Sequence, residues 1–121
     1  IEIRNARLSD SNRRYAEFLY ARRQREGFLF RDCQRLVNTD RNVFAACMLA
    51  TGDADALVTG ATRSYSVALE GIRAAIDPAP GQVLFGLTLM LARVSGTVFI
   101  ADTAIHERPG AAALADIAEQ S

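Results

Sequence analysis

The chain has 121 residues, the length of one ordinary domain and too short for two independent cores. Half of it is apolar and 23% is charged, which is a globular composition, and fourteen basic residues, all Arg, balance fourteen acids. No overall field therefore marks a nucleic-acid or membrane binder, and the longest apolar run, Val83 to Ala92, is too short to span a bilayer and is broken by Gly86.

The chain opens at Ile1-Glu2-Ile3 as though a strand were already under way, with no initiator Met and no targeting segment. At the far end an Ala-rich helical stretch is still running at Ser121. Both features lead to the expectation of a piece cut from a longer polypeptide.

Residues 9 to 26 carry Tyr15, Phe18, Leu19 and the stem of Arg22 at i, i+3, i+4 spacing, predicting a helix. Ser9, Asp10 or Ser11 can cap its start and Gly27 can close it. A second helix is expected over Arg31 to Asn38. A third follows, capped by Thr39 or Asp40, with Val43, Phe44, Cys47 and Met48 inward and its end at Gly52. Ala54 to Gly60 reads as a short buried strand, leading to a helix begun by Ser64 or Ser66 with Val67, Leu69, Ile72 and Ile76 inward. Asp77-Pro78-Ala79-Pro80-Gly81 stops that helix, because proline lacks a donor and disfavours helix in the residue before it. Val83 to Ala92 and Thr97 to Ala101 are strand-like runs around the turn Arg93-Val94-Ser95-Gly96, predicting an antiparallel hairpin. A loop, Asp102 to Pro109, then precedes a last helix from about Gly110. The layout is mixed α/β. Charge is uneven: residues 1 to 52 hold ten Arg against six acids, and 53 to 121 hold four against eight.

Two places could hold chemistry. At Leu57 to Ser66 a strand ending in Gly60, followed by hydroxyls and Arg63 before a helix, can present backbone N–H groups and a forked guanidinium to an anion. The plainer alternative is a tight turn and an ordinary Ser cap, and the spacing fits neither a Walker loop nor a dinucleotide fingerprint. Asp102 and Thr103, at the carboxyl end of a strand, sit where open α/β sheets bind ligands. His106 is the only His; with no nameable nucleophile or carboxylate partner, it reads first as a loop residue. Asp53 and Asp55 lack a third metal ligand. Arg13, Arg14, Arg22, Arg23 and Arg25 alternate with Glu17 and Glu26, which is the pattern of a solvated helix face. The two cysteines, Cys33 and Cys47, form neither a disulfide framework nor a metal knuckle, so a reduced, cytoplasmic setting is expected.

Asp53 to Ala61, the Ser-led helix behind it, and Val98-Phe99-Ile100-Ala101-Asp102-Thr103-Ala104 together resemble the phosphate acetyl/butyryl transferase family. Tyr20 to Gly27 and Thr39 to Phe44 are similar too, so the resemblance covers essentially the whole chain. It implies a phosphotransacetylase-like three-layer αβα fold, with a mixed sheet containing one antiparallel hairpin and this chain as the central part. Working members carry an H-S-T-x-D-x-x-R-P run that binds the anionic substrate. Here Arg63-Ser64-Tyr65-Ser66-Val67-Ala68-Leu69-Glu70-Gly71 stands there, with Val67 at the family's acid and Glu70 at its Arg. A carboxylate in place of that cation should repel phosphate.

This degenerate wording is most similar to the copy fused behind bacterial NADP-dependent malic enzymes. That likeness implies a domain that senses acetyl-CoA and helps assemble a homo-oligomer without catalysing acyl transfer. The parent would decarboxylate malate oxidatively with NADP and Mg²⁺ or Mn²⁺, held by residues outside this chain. Gly60, Arg63, Ser64 and Tyr65 are expected to line the remnant ligand cleft, with Asp102 and Thr103 nearby, and neither nucleic acid nor membrane is expected as a partner. The alternatives are a working phosphate acyltransferase and a purely structural assembly domain.

Overall fold

The computed structural model describes residues 3–94 and 96–121. The expected strand at Ile1 to Ile3 and the Ser95 position of the hairpin turn fall wholly or partly outside these residues. The chain divides into two compact units, residues 1–77 and 78–121.

The first unit is helical. α1 spans Asn12–Arg23 and runs on through a single 3-10 turn, Gln24–Glu26. Gly27 then turns the chain at φ +88°, the left-handed closure expected of a glycine just past a helix. α2 is Phe30–Thr39, where the Asp32 carboxylate accepts a hydrogen bond from the Leu29 N–H at 3.2 Å. α3, Arg41–Ala50, follows after one residue, Asp40, whose carboxylate accepts from the Asn42 and Val43 N–H groups at 2.8 and 3.3 Å. Of the two candidate caps, Asp40 is therefore the one used. α4 is Tyr65–Arg73.

Tyr15 and Leu19 of α1, Cys33 and Val37 of α2, and Val43, Phe44, Ala46 and Cys47 of α3 form one buried cluster, which Ala75 joins. The predicted stripe is right at Tyr15 and Leu19. Phe18 lies at the edge of the cluster, and Arg22 runs along it with its Nε buried before its guanidinium pairs with Asp77 at 2.6 Å. The Tyr15 and Phe44 rings meet edge to face, 5.2 Å between centroids, and Tyr20 meets Phe30 in the same way. The Tyr15 hydroxyl, buried with its ring, donates to the Asp53 carboxylate. This bond ties the start of α1 to the segment after α3.

Two expectations fail here. Residues 54–60 form no strand, because among the described residues no neighbouring strand offers them a hydrogen-bond ladder. In α4, Val67 is exposed, while Ala68 and Gly71 face inward. Gly71 lies so near the first turn of α3 that a Cβ there would come within 3.0 Å of the Asn42 Cβ. Of the other residues expected inward, Leu69 and Ile72 are half-buried and Ile76 packs against the core cluster, so the stripe fails at Val67 alone.

The second unit holds an antiparallel hairpin, β1 (Leu87–Ala92) and β2 (Gly96–Ala101), followed by α5 (Ala111–Gln120). Gly96 takes φ +78°, as the turn requires. The register pairs Leu87 with Ala101, Leu89 with Phe99 and Leu91 with Thr97 on one face, and Met90 with Val98 on the other. Leu89, Leu91, Met90, Val98 and Phe99 are all exposed, so apolar groups stand on both faces of the two-stranded sheet. This chain is α/β with five α-helices and one two-stranded antiparallel sheet among the described residues.

Candidate functional site

The segment 57–63, expected to bind an anion, folds across the N-terminal turn of α3 and borders an open cavity of about 490 Å³ with it. Three side-chain bonds hold it there. The Thr59 hydroxyl donates to the Asn42 Oδ1 at 2.6 Å, Arg41 donates to the Thr62 Oγ1 at 3.4 Å, and Arg63 makes an ion pair with Asp40. Asp40 therefore has two roles: Oδ1 caps α3, and Oδ2 takes the Arg63 guanidinium.

Gly60 is exposed and adopts φ +140°, a backbone region closed to residues with a Cβ, and Ala61 follows at φ +43°. These two residues aim the loop back toward α4. Ser64 is the N-cap of α4 in extended conformation, but its hydroxyl makes no capping bond and instead lies 3.3 Å from the Ser66 hydroxyl. Tyr65 begins α4 with its ring half exposed. Gly60 and Arg63 thus line the cavity, while Ser64 and Tyr65 stand just beyond its described lining. Glu70, at the position where the resemblance places a substrate-binding Arg, is exposed on α4.

The cavity has a cation that sequence reasoning passed over. Arg41, the first residue of α3, lines it together with Arg63, and Asn42 supplies a buried amide. One signal was available. Arg41 directly follows a capping Asp, so its side chain begins at the helix N-terminus, where the dipole already favours anions. Two guanidiniums around a concave loop can hold a phosphate or carboxylate by forked hydrogen bonds.

Asp102 and Thr103 belong to the second unit. Asp102 ends β2 with φ +54°, donates its N–H to the Gly86 carbonyl at 2.6 Å, and buries its carboxylate almost completely. Its Oδ2 lies 2.6 Å from the His106 Nδ1, which corrects the expectation that His106 has no carboxylate partner. Asp102 Oδ1 is buried with no hydrogen-bond partner among the described residues. Thr103 and His106 border a small hollow of about 180 Å³. The pair fixes the imidazole's orientation by its Nδ1.

Other charged groups pair among themselves in the helical unit. Arg13 pairs with Glu17 at 2.9 Å and Arg23 with Glu26 at 3.1 Å, each along the helix, and Arg14 pairs with Asp53. Among the described residues no group of three or more His, Cys, Asp or Glu is placed to hold a metal. Cys33 and Cys47 are unpaired and fully buried; burial pushes both thiols up, Cys47 to about 12, so neither is a nucleophile at neutral pH. No helix among the described residues is long and apolar enough to cross a membrane.

Comparison with known proteins adds identity to this geometry. The family described as phosphate acetyl/butaryl transferase matches residues 1–121. The chain is 57% identical over all its 121 residues to an NADP-dependent malic enzyme of Rhizobium meliloti (strain 1021). It is 48% identical over the same length to a protein of Rickettsia prowazekii (strain Madrid E) named "Probable NADP-dependent malic enzyme". In both cases it spans 16% of the relative's length. It is also similar to a phosphate acetyltransferase of Nitrosomonas europaea, 35% identical over 82 residues, which is 68% of this chain and 12% of that protein.

Proposed function

The chain belongs to the phosphate acetyl/butaryl transferase family, and from that membership we propose that it forms part of a regulatory and assembly domain of an NADP-dependent malic enzyme. In this reading the domain binds acetyl-CoA and does not transfer its acyl group. The observation that carries the proposal is the 57% identity across the entire chain to a protein named as a malic enzyme. The loop 57–63 is the proposed ligand site: Gly60, Arg63 and Arg41 offer backbone and guanidinium donors to the CoA phosphates, and Ser64 and Tyr65 stand beside them. Glu70 supports a non-catalytic role, because a carboxylate where an acyltransferase would place its phosphate-binding Arg disfavours a free phosphate substrate.

Oxidative decarboxylation of malate, with NADP and a divalent metal, is assigned in this proposal to other parts of the whole protein, in the cytoplasm. The two apolar faces of the hairpin suit a place inside a larger mixed sheet covered by helices on both sides, the three-layer arrangement of the family. A homo-oligomer is part of the same reading.

The test is malate-dependent NADP reduction by the whole protein, with and without acetyl-CoA. A rate that acetyl-CoA changes is the expected result; no malate oxidation in either condition overturns the reading. The likeness to a phosphate acetyltransferase supports one alternative, a working phosphate acyltransferase. Formation of acetyl phosphate from acetyl-CoA and phosphate would establish it.

A further inference from the structure

Arg63 does not stand free to meet a ligand. Its guanidinium is held by Asp40, 23 residues earlier in the chain, and both side chains are mostly withdrawn from solvent, 31% and 21% exposed. The same Asp40 caps α3 through its other oxygen, so the carboxylate is fixed in place by two backbone N–H groups and favoured by the helix dipole.

We propose that Asp40 is a built-in anion that occupies Arg63 and sets the affinity of the 57–63 loop for an anionic ligand. This rests on the reading of that loop as the acetyl-CoA site. The 3′-phosphate of acetyl-CoA, a monoester, carries more charge than a carboxylate and offers three oxygens to a forked guanidinium, so it can displace Asp40 from Arg63. In the exchange Oδ1 keeps the cap of α3, and Oδ2 is released from the guanidinium. The loop meanwhile stays tied to α3 by Thr59 on Asn42. Affinity is then the difference between two anions competing for one guanidinium, with Arg41 as a second cation beside them.

The experiment is calorimetric titration of acetyl-CoA into the whole protein and its Asp40→Asn, Arg63→Gln and doubly substituted variants. Asn caps a helix as well as Asp does, so Asp40→Asn removes the competing charge and keeps α3. Asp40→Ser, which also caps, serves as the second variant. Acetyl-CoA should bind Asp40→Asn and Asp40→Ser about fivefold more tightly than the unsubstituted protein, the value of one partly exposed ion pair. Arg63→Gln should weaken binding, and adding Asp40→Asn to it should change nothing further. Binding by Asp40→Asn that equals or falls below that of the unsubstituted protein overturns the role of Asp40, as does a gain that persists without Arg63. If neither the unsubstituted protein nor Asp40→Asn binds acetyl-CoA, the reading of the loop as an acetyl-CoA site fails and the role of Asp40 falls with it. Binding by Asp40→Asn alone would show the competition at its strongest.

Discussion

Replacing Gly71 by Ala sets a local gain against a tertiary cost. In an isolated helix the change would stabilise by about 1 kcal/mol, because Ala restricts the unfolded chain and exposes less backbone. In this fold the new methyl would stand 3.0 Å from the Asn42 Cβ, with the Asp40 Oδ1 and Val43 Cγ2 at 3.7 Å. A Cβ cannot rotate away as a side-chain tip can. Asn42 is also buried, with its N–H on Asp40 and its Oδ1 on Thr59. Relief therefore needs α4 and the first turn of α3 to part by several tenths of an ångström, stretching both bonds. Overpacking of this kind costs roughly 1–3 kcal/mol, and each weakened hydrogen bond adds up to about 1 kcal/mol. The net expectation is a destabilisation of about 1–2 kcal/mol. Urea unfolding followed by far-ultraviolet circular dichroism would measure it. The same change in an Asn42→Gly background should be neutral or stabilising, because the opposing Cβ is gone. Stabilisation by Gly71→Ala in the presence of Asn42 would refute the close approach of α4 to α3.

Further outcomes follow from the helical core. Leu19→Ala empties a fully buried site among α1, α2 and α3 and should cost about 3–5 kcal/mol in the same unfolding measurement. Tyr15→Phe removes the hydroxyl bonded to Asp53 but keeps the ring on Phe44; Arg14 and Thr51 still bond that carboxylate, so the loss should be only about 1 kcal/mol. Cys47 should resist a soluble disulfide reagent at pH 8 until the chain unfolds, and Cys33 should behave alike. Because burial raises the folded pKa of Cys47 from 9.0 to about 12, the folded state keeps a proton that the unfolded state loses between those values. Its stabilising contribution is complete below pH 9 and fades as pH rises toward 12, with a slope of about 1.4 kcal/mol per pH unit. Cys47→Ala should flatten that part of the stability curve.

Much of the fold is local, and what is local was legible in the sequence. Gly27 closes α1 because only glycine adopts φ +88° without penalty, and Asp40 caps α3 because its carboxylate reaches N–H groups two and three residues on. Tyr15, Leu19, Val43 and Cys47 went inward as their helical spacing requires. The hairpin followed from two apolar runs about a glycine turn. The caps and helical stripes depend on neighbours within a few positions along the chain, and the hairpin on pairs no more than fourteen apart.

What tertiary structure decided depends on partners far apart in sequence. Residues 54–60 have strand character, but a strand exists only through a ladder with another, and none meets them among the described residues. Val67 is as apolar as a core residue should be, yet it is exposed while Gly71 faces α3, since close helix approach selects small residues over large ones. His106 is the exception in distance: Asp102 lies only four residues before it, and its φ of +54° just past β2 is a conformation that residue spacing does not show. The same limit applies to the loop before α4. Its sequence shows that an arginine is available to an anion. Only the fold shows that Asp40 already holds it, because the pairing of Arg63 with a carboxylate 23 residues away is set by where α3 begins in space.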